Sequence, residues 1–108
     1  SQENYKNGLR DGEQFVFYSN GKITERSLFK DGLLDGISSK YSSKGILIEE
    51  VVYNKGKPNG LAKYFELNGN IKETGIYADG KRVGKWEYYL DGELTQKNEK
   101  NKFNKKGM

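Results

Sequence analysis

A pair of glycines recurs every 24 residues along this chain, at Gly8 and Gly12, Gly32 and Gly36, Gly56 and Gly60, and Gly80 and Gly84. Each pair follows an aromatic residue three positions earlier, at Tyr5, Phe29, Tyr53 and Tyr77, so the pattern Tyr/Phe-x-x-Gly-x-x-x-Gly stands four times in register. A third glycine nearly keeps the beat, at Gly21, Gly45, Gly69 and then Gly92, one residue early. A fixed period of this length belongs to a repeat architecture, in which each unit buries its apolar side only against its neighbours. At 108 residues the chain is therefore a short array with a small core.

Between the glycines the residues alternate as strands do. In the third unit Leu61 to Leu67 leads into Asn68-Gly69 and then Asn70 to Ala78, a hairpin signal whose turn dipeptide tolerates positive φ. Asn20-Gly21 and Asp91-Gly92 repeat it, and Lys44-Gly45 does so less clearly. The Gly-x-x-x-Gly turn then reverses the chain into the next unit, and the only proline, Pro58, falls inside such a turn, where a missing N–H costs least. The expected fold is all-β: a single-layer, elongated antiparallel meander of repeated hairpins, on the order of 35 Å across. Four units are expected at 5–28, 29–52, 53–76 and 77–96, making one domain over 1–96. Residues 97–108 are a Lys/Asn-rich cap or frayed tail.

Pairing across two-residue Asn-Gly loops assigns the faces. One face carries Phe17, Tyr41 and Phe65 with Leu28, Val52 and Ile76, and is read as core. The other carries Ile23, Leu47 and Ile71 with Phe29, Tyr53 and Tyr77, and between them a recurring acid at Glu25, Glu49 and Glu73. That second face is read as half-solvated or covered by a partner. Unit four departs, since Gly84 to Gly92 spans eight residues where the others span nine. A one-residue change exchanges the faces of a strand, so either a bulge absorbs it or Trp86 and Tyr88 move relative to their counterparts.

The units Tyr77-Ala-Asp-Gly80-Lys-Arg-Val-Gly84-Lys-Trp86-Glu-Tyr88-Tyr89-Leu-Asp-Gly92 and Tyr53-Asn-Lys-Gly56-Lys-Pro-Asn-Gly60 resemble the MORN repeat variant over residues 5 to about 96. Proteins built from this repeat are often described as bacterial antitoxin-like proteins of the YwqK type. The resemblance implies a non-catalytic sheet of hairpins used for binding, in a bacterial setting. Unit two departs most from the pattern, with Ser38, Ser39 and Ser42 where bulky residues stand elsewhere.

Chemistry is sparse. The chain has no cysteine and no histidine, which removes thiol nucleophiles, disulfides and the commonest general base and metal ligand. The carboxylate column places like residues two strands apart, roughly 9 to 10 Å, at the upper end of what an inverting glycosidase uses and far beyond a retaining one. Pairing with Lys40 and neighbouring polar groups is the simpler reading. Adjacent Glu49 and Glu50 point to opposite faces and do not act as a pair. Gly21-Lys22 and Gly56-Lys57 lack the Ser or Thr and the helix start of a phosphate loop, so these glycines, like Gly8, Gly12, Gly32, Gly36, Gly56, Gly60, Gly80 and Gly84, are turn residues. No catalytic residue, metal site or cofactor is expected.

Tyr64, Trp86, Tyr88 and Tyr89 are the candidate binding residues, since aromatics interspersed with charge serve as interface anchors or stack on sugars. The competing reading has them filling the repeat core in place of scarce aliphatics. The net charge of +4 sits in the tail, where Lys97, Lys100, Lys102, Lys105 and Lys106 face Glu99 alone, leaving 14 basic and 14 acidic residues before them. The expected function is binding of another protein, with further repeats or self-association through the open sheet edges as a variant. The alternatives are a carbohydrate or cell-envelope module using the aromatics, and an anionic-lipid binder using the tail; nucleic acid is disfavoured for want of arginine there. No apolar stretch is long enough to span a bilayer. The chain begins at Ser1, which fits either trimming or removal of a leader, and an exported protein is favoured over a cytoplasmic one.

Overall fold

The computed structural model describes residues 4–97, so the expectation for the tail beyond Lys97 lies outside the described residues. Eleven strands follow in order: β1 (Tyr5–Lys6), β2 (Leu9–Arg10), β3 (Gly12–Phe17), β4 (Ile23–Lys30), β5 (Leu33–Leu34), β6 (Gly36–Tyr41), β7 (Leu47–Asn54), β8 (Lys57–Phe65), β9 (Ile71–Ala78), β10 (Lys81–Leu90) and β11 (Glu93–Lys97). One sheet runs in the order β11-β10-β9-β8-β7-β6-β4-β3, with β5 on β4, and β1 and β2 form a small separate hairpin. Every pairing is antiparallel. The fold is therefore all-β and made of consecutive hairpins. It measures 57 × 33 × 13 Å, too thin for two stacked sheets. Its length exceeds the ~35 Å expected from strand spacing, and the β1–β2 hairpin stands outside the main sheet.

The glycine pairs build one rim. Asn7, Asp31, Lys55 and Asp79 stand at φ 50–52°, each followed by Gly8, Gly32, Gly56 or Gly80 at φ 80–88°. Two successive positive φ values make a type I′ turn, whose twist matches that of the strands it joins. Successive turns are tied together: Gly32 donates its N–H to Arg10, Gly56 to Leu34 and Gly80 to Pro58, each onto a backbone carbonyl at 2.8–2.9 Å. The second glycine of each pair serves a different end. Gly60 and Gly84 lie where pairing slips, between Val51/Tyr53 on β7 and between Val83/Glu87 on β10, so they are bulge residues.

The opposite rim differs from the expected two-residue loops. Tyr18 donates to Lys22 and Gly21 donates back to Tyr18, with only Gly21 at positive φ; the same bonds recur at Ser42–Ile46 and Glu66–Asn70. These are three-residue loops of a type I turn followed by a left-handed glycine. Unit four instead closes with Asp91 and Gly92 at φ 53° and 84°, a two-residue I′ turn between Leu90 and Glu93. The missing residue is thus taken from the loop, and neither of the two expected outcomes occurs: Tyr88 faces Glu73 as Tyr64 faces Glu49.

Strand-body pairing follows the expected register, with a correction near the loops. Slips there set Phe17 opposite Ile23, Tyr41 opposite Leu47 and Phe65 opposite Ile71, so Ile23, Leu47 and Ile71 join the Phe17 face. Phe17, Ile23 and Tyr41 accordingly line one cavity. The core also lies on the face opposite to the one expected. Its buried apolar residues are Val51, Ala62 and Trp86, packed against Tyr53, Tyr64, Tyr77 and Tyr88, all on the carboxylate face. Large rings leaning over small residues cover more surface than the β-branched residues of the other face, which stand upright and stay half exposed. No helix among the described residues is long and apolar enough to cross a membrane.

Candidate binding site

The centre of the carboxylate face is a stripe crossing the strands. Gln14 lies opposite Ser27, Ser27 Oγ is 3.3 Å from Ser38 Oγ, and Ser38, Val51, Ala62 and Gly75 follow by direct pairing. The Trp86 indole lies over Gly75 and is 3 % exposed. A methyl at Gly75 would run into the ring, so glycine is required here by space; its φ is not in the left-handed region. Trp86 occupies the position held by Gln14, Ser38 and Ala62 in the earlier units, 24 residues apart.

Around the indole the side chains are fixed by specific contacts. Tyr64 stacks on it at 6.4 Å between ring centres and Tyr77 meets it edge-on at 5.2 Å. The two tyrosine hydroxyls hydrogen-bond at 2.9 Å. The Arg82 guanidinium sits 3.9 Å above the Trp86 ring centre and 6.0 Å from the rings of Tyr64 and Tyr77, and its Nη1 donates to Glu73 Oε2 at 2.6 Å. An arginine so placed gains cation–π attraction and a charge-assisted bond together. Burial pushes the Tyr64 phenol above its ordinary range, and its bond to Tyr77 adds to this. Burial likewise raises Tyr53, with the Glu49 carboxylate adding to it. For Arg82 burial acts downward, but bonding to Tyr77 and Glu73 outweighs it and the pKa rises.

Of the four candidate residues, the structure brings three together. Tyr64, Trp86 and Tyr88 share the carboxylate face, Trp86 as a buried floor and the tyrosines as half-buried flanks. Tyr89 is on the other face, where its hydroxyl donates to Glu87 at 3.0 Å. Arg82, Tyr77 and Gly75 belong to the cluster but were not among the sequence candidates. One signal was present: between residues 4 and 97, Gly75 is the glycine that stands off the beat.

The acid column forms a continuous row, Glu25–Lys40–Glu49–Tyr64–Glu73–Tyr88, each residue directly opposite the next. Glu49 lies 3.7 Å from Lys40 and Glu73 is held by Arg82, so these acids alternate with cations and phenols as cross-strand partners. On the far side Glu13 pairs with Arg26. No group of three or more acidic residues suited to a metal occurs among the described residues.

Residues 10–31 and 58–79 match the family described as MORN repeat variant. No curated protein and no solved structure matches the chain. Each matching segment runs from inside one glycine pair to the residue before the next, and repeats of this kind are generally associated with binding proteins or membrane lipids.

Proposed function

We propose that this chain is a non-catalytic module that binds another protein through the aromatic end of its carboxylate face. The observation that carries the reading is the Tyr64–Tyr77–Trp86–Arg82–Glu73 cluster, in which half-exposed phenols and a guanidinium are held over a packed indole by mutual contacts. Side chains fixed in this way lose little freedom on association, and tyrosine, tryptophan and arginine are the residues that most often anchor protein interfaces. Carboxylates alternate with phenols along the row beside them, which gives a partner polar contacts with a defined register. An antitoxin-like role in a bacterium would be one form of this activity, with the toxin as partner.

The test is capture on the immobilised protein from the native host, followed by the same capture with Tyr88→Ser and with Arg82→Ala. A retained protein lost with both variants, while circular dichroism is unchanged, is the expected result. Retention of peptidoglycan or glycan without any protein would replace this reading with carbohydrate binding. Capture indifferent to both substitutions would remove the cluster from the site.

A further inference from the structure

The face opposite the aromatic cluster is unusually apolar for a surface. Ile37, Leu61, Ile76 and Val83 are 48 %, 45 %, 44 % and 41 % exposed. Ile37 lies opposite Val52, and Leu61 and Val83 both lie opposite Ile76; with Leu28 they share one face of β4, β6, β7, β8, β9 and β10, although the ladder slips between Val52 and Leu61. One step along the strands runs a second row on the same face, Arg26–Ser39–Glu50–Lys63–Thr74–Glu87, again by direct pairing from strand to strand.

Both rows are self-complementary when reversed. A two-fold axis parallel to the strands and passing between β7 and β8 keeps each row above its own copy and inverts the strand order. Arg26 then meets Glu87 of the other copy and Glu50 meets Lys63, with Thr74 lying over Ser39, which is already buried within its own chain. In the apolar row Leu28 meets Val83, Ile37 meets Ile76 and Val52 meets Leu61. The charges of the second row each face their opposite, while Lys85, on the same face of β10 between Val83 and Glu87, meets no acid from either row. An arrangement with the same strands superposed would set Glu50 against Glu50 and Lys63 against Lys63.

We propose that two copies of this chain stack through this face into a symmetric two-layer sandwich, with Glu50 and Lys63 pairing across the axis. The packing is that of aligned β-sheets, whose inner faces interdigitate about 10 Å apart. A face of 57 × 33 Å is ample for the ~800 Å² per partner that a stable association buries. Arg26 holds Glu13 and Glu87 accepts from Tyr89 within one chain, so the outer pairs add to existing bonds and the pairs at the axis set the register. The carboxylate face, with its aromatic cluster, remains outside on both layers.

Sedimentation equilibrium of the full chain is expected to give a dimer. Leu61→Glu, at a half-exposed position where an unchanged circular dichroism spectrum is expected, is expected to weaken it about 100-fold or more, because it places an unpaired charge in an apolar contact. Glu50→Lys alone and Lys63→Glu alone are expected to weaken it about 10-fold or more, and the double exchange to restore it. Since the chain has no cysteine, Ile37→Cys and Ile76→Cys proteins give a clean crosslinking test. A mixture of the two is expected to form disulfide-linked dimers at least about ten times faster than either alone. A monomer at every concentration, a dimer indifferent to Leu61→Glu, an open-ended assembly, or crosslinking by each cysteine variant alone would overturn the proposal.

Discussion

The β3–β6 end of the sheet and the β7–β10 end have nearly the same backbone and opposite interiors. In β3–β4 and β6 the central stripe is Gln14, Ser27 and Ser38, all buried; the Gln14 Nε2 lacks a protein partner, as does the Trp86 Nε1 at the other end. In β7–β10 the same stripe is Val51, Ala62 and Gly75, closed over by Trp86. The pairing registers of β3–β4, β6–β7 and β8–β9 agree, and so do the turns that close them. Backbone hydrogen bonds and turn glycines therefore suffice to set the shape, whereas the side-chain packing that stabilises it is concentrated at one end. Arginine follows the same gradient: Arg10 lies 5.3 Å from the Phe29 ring at one end, and Arg82 is locked onto three rings at the other.

The comparison breaks most sharply at Trp86. Trp86→Ala removes the largest buried side chain of the aromatic end, and a loss of about 3–5 kcal/mol is expected in urea unfolding. Gln14→Ala at the equivalent position is expected to cost no more than ~1 kcal/mol, since the amide lost is only partly bonded. Native-state hydrogen exchange is expected to be slowest in β7–β9 and faster in β3–β4; equal protection at both ends would remove the gradient.

Gly75→Ala is expected to cost about 1–3 kcal/mol by forcing the indole outward. The chain has a single tryptophan, so a red shift of its emission reports that movement directly. An unshifted spectrum would mean that the sheet, not the ring, gives way.

The third effect depends on pH. Tyr64 and Tyr53 have raised pKa values in the folded chain, so the folded state keeps protons that an unfolded tyrosine begins to release near 10.0. Stability from these groups is complete below that pH and is lost as pH rises toward the folded values. Unfolding measured at neutral pH and at about 11 is expected to show the decline in wild type and a weaker one in Tyr64→Phe. The smallest effect is expected at the polar end. Ser27→Ala with Ser38→Ala removes both members of a long hydroxyl contact, and a change within ~1 kcal/mol of zero is expected, because neither partner is left unsatisfied.

Much of the architecture was legible in the sequence because it is carried by glycine. Positive φ and a fixed period constrain residue choice at every repeat, so the succession of hairpins, their pairing and the body of the register could be read directly, while the short strands β1, β2 and β5 could not. The loops were misread because Asn-Gly serves both a two-residue I′ turn and the end of a three-residue loop, and the two differ in the residue before the glycine. Asn20 is not at positive φ, whereas Asp31 and Asp91 are. The core face was misassigned because alternation says which residues share a face and not which face is covered. That depended on how far Tyr64 and Tyr77 lean over their neighbours, and on Trp86 filling the space above Gly75. Arg82 escaped notice because a basic residue in a charge-balanced array carries no signal of the rings beneath it.

The bonds that tie each I′ turn to the one before it make the two rims of this sheet unequal as sites for change. On the tied rim an inserted residue would displace a glycine amide from the carbonyl of the preceding turn and disturb its neighbours in series. On the other rim the backbone bonds of each loop stay within its own hairpin, with side-chain bonds from Tyr18 and Asn20 reaching the next, and unit four has already lost a residue there without moving Tyr88. Added epitopes, tags or natural length variation should therefore be accommodated at Tyr18–Lys22, Ser42–Ile46, Glu66–Asn70 and Asp91–Gly92, while the tied rim keeps its count.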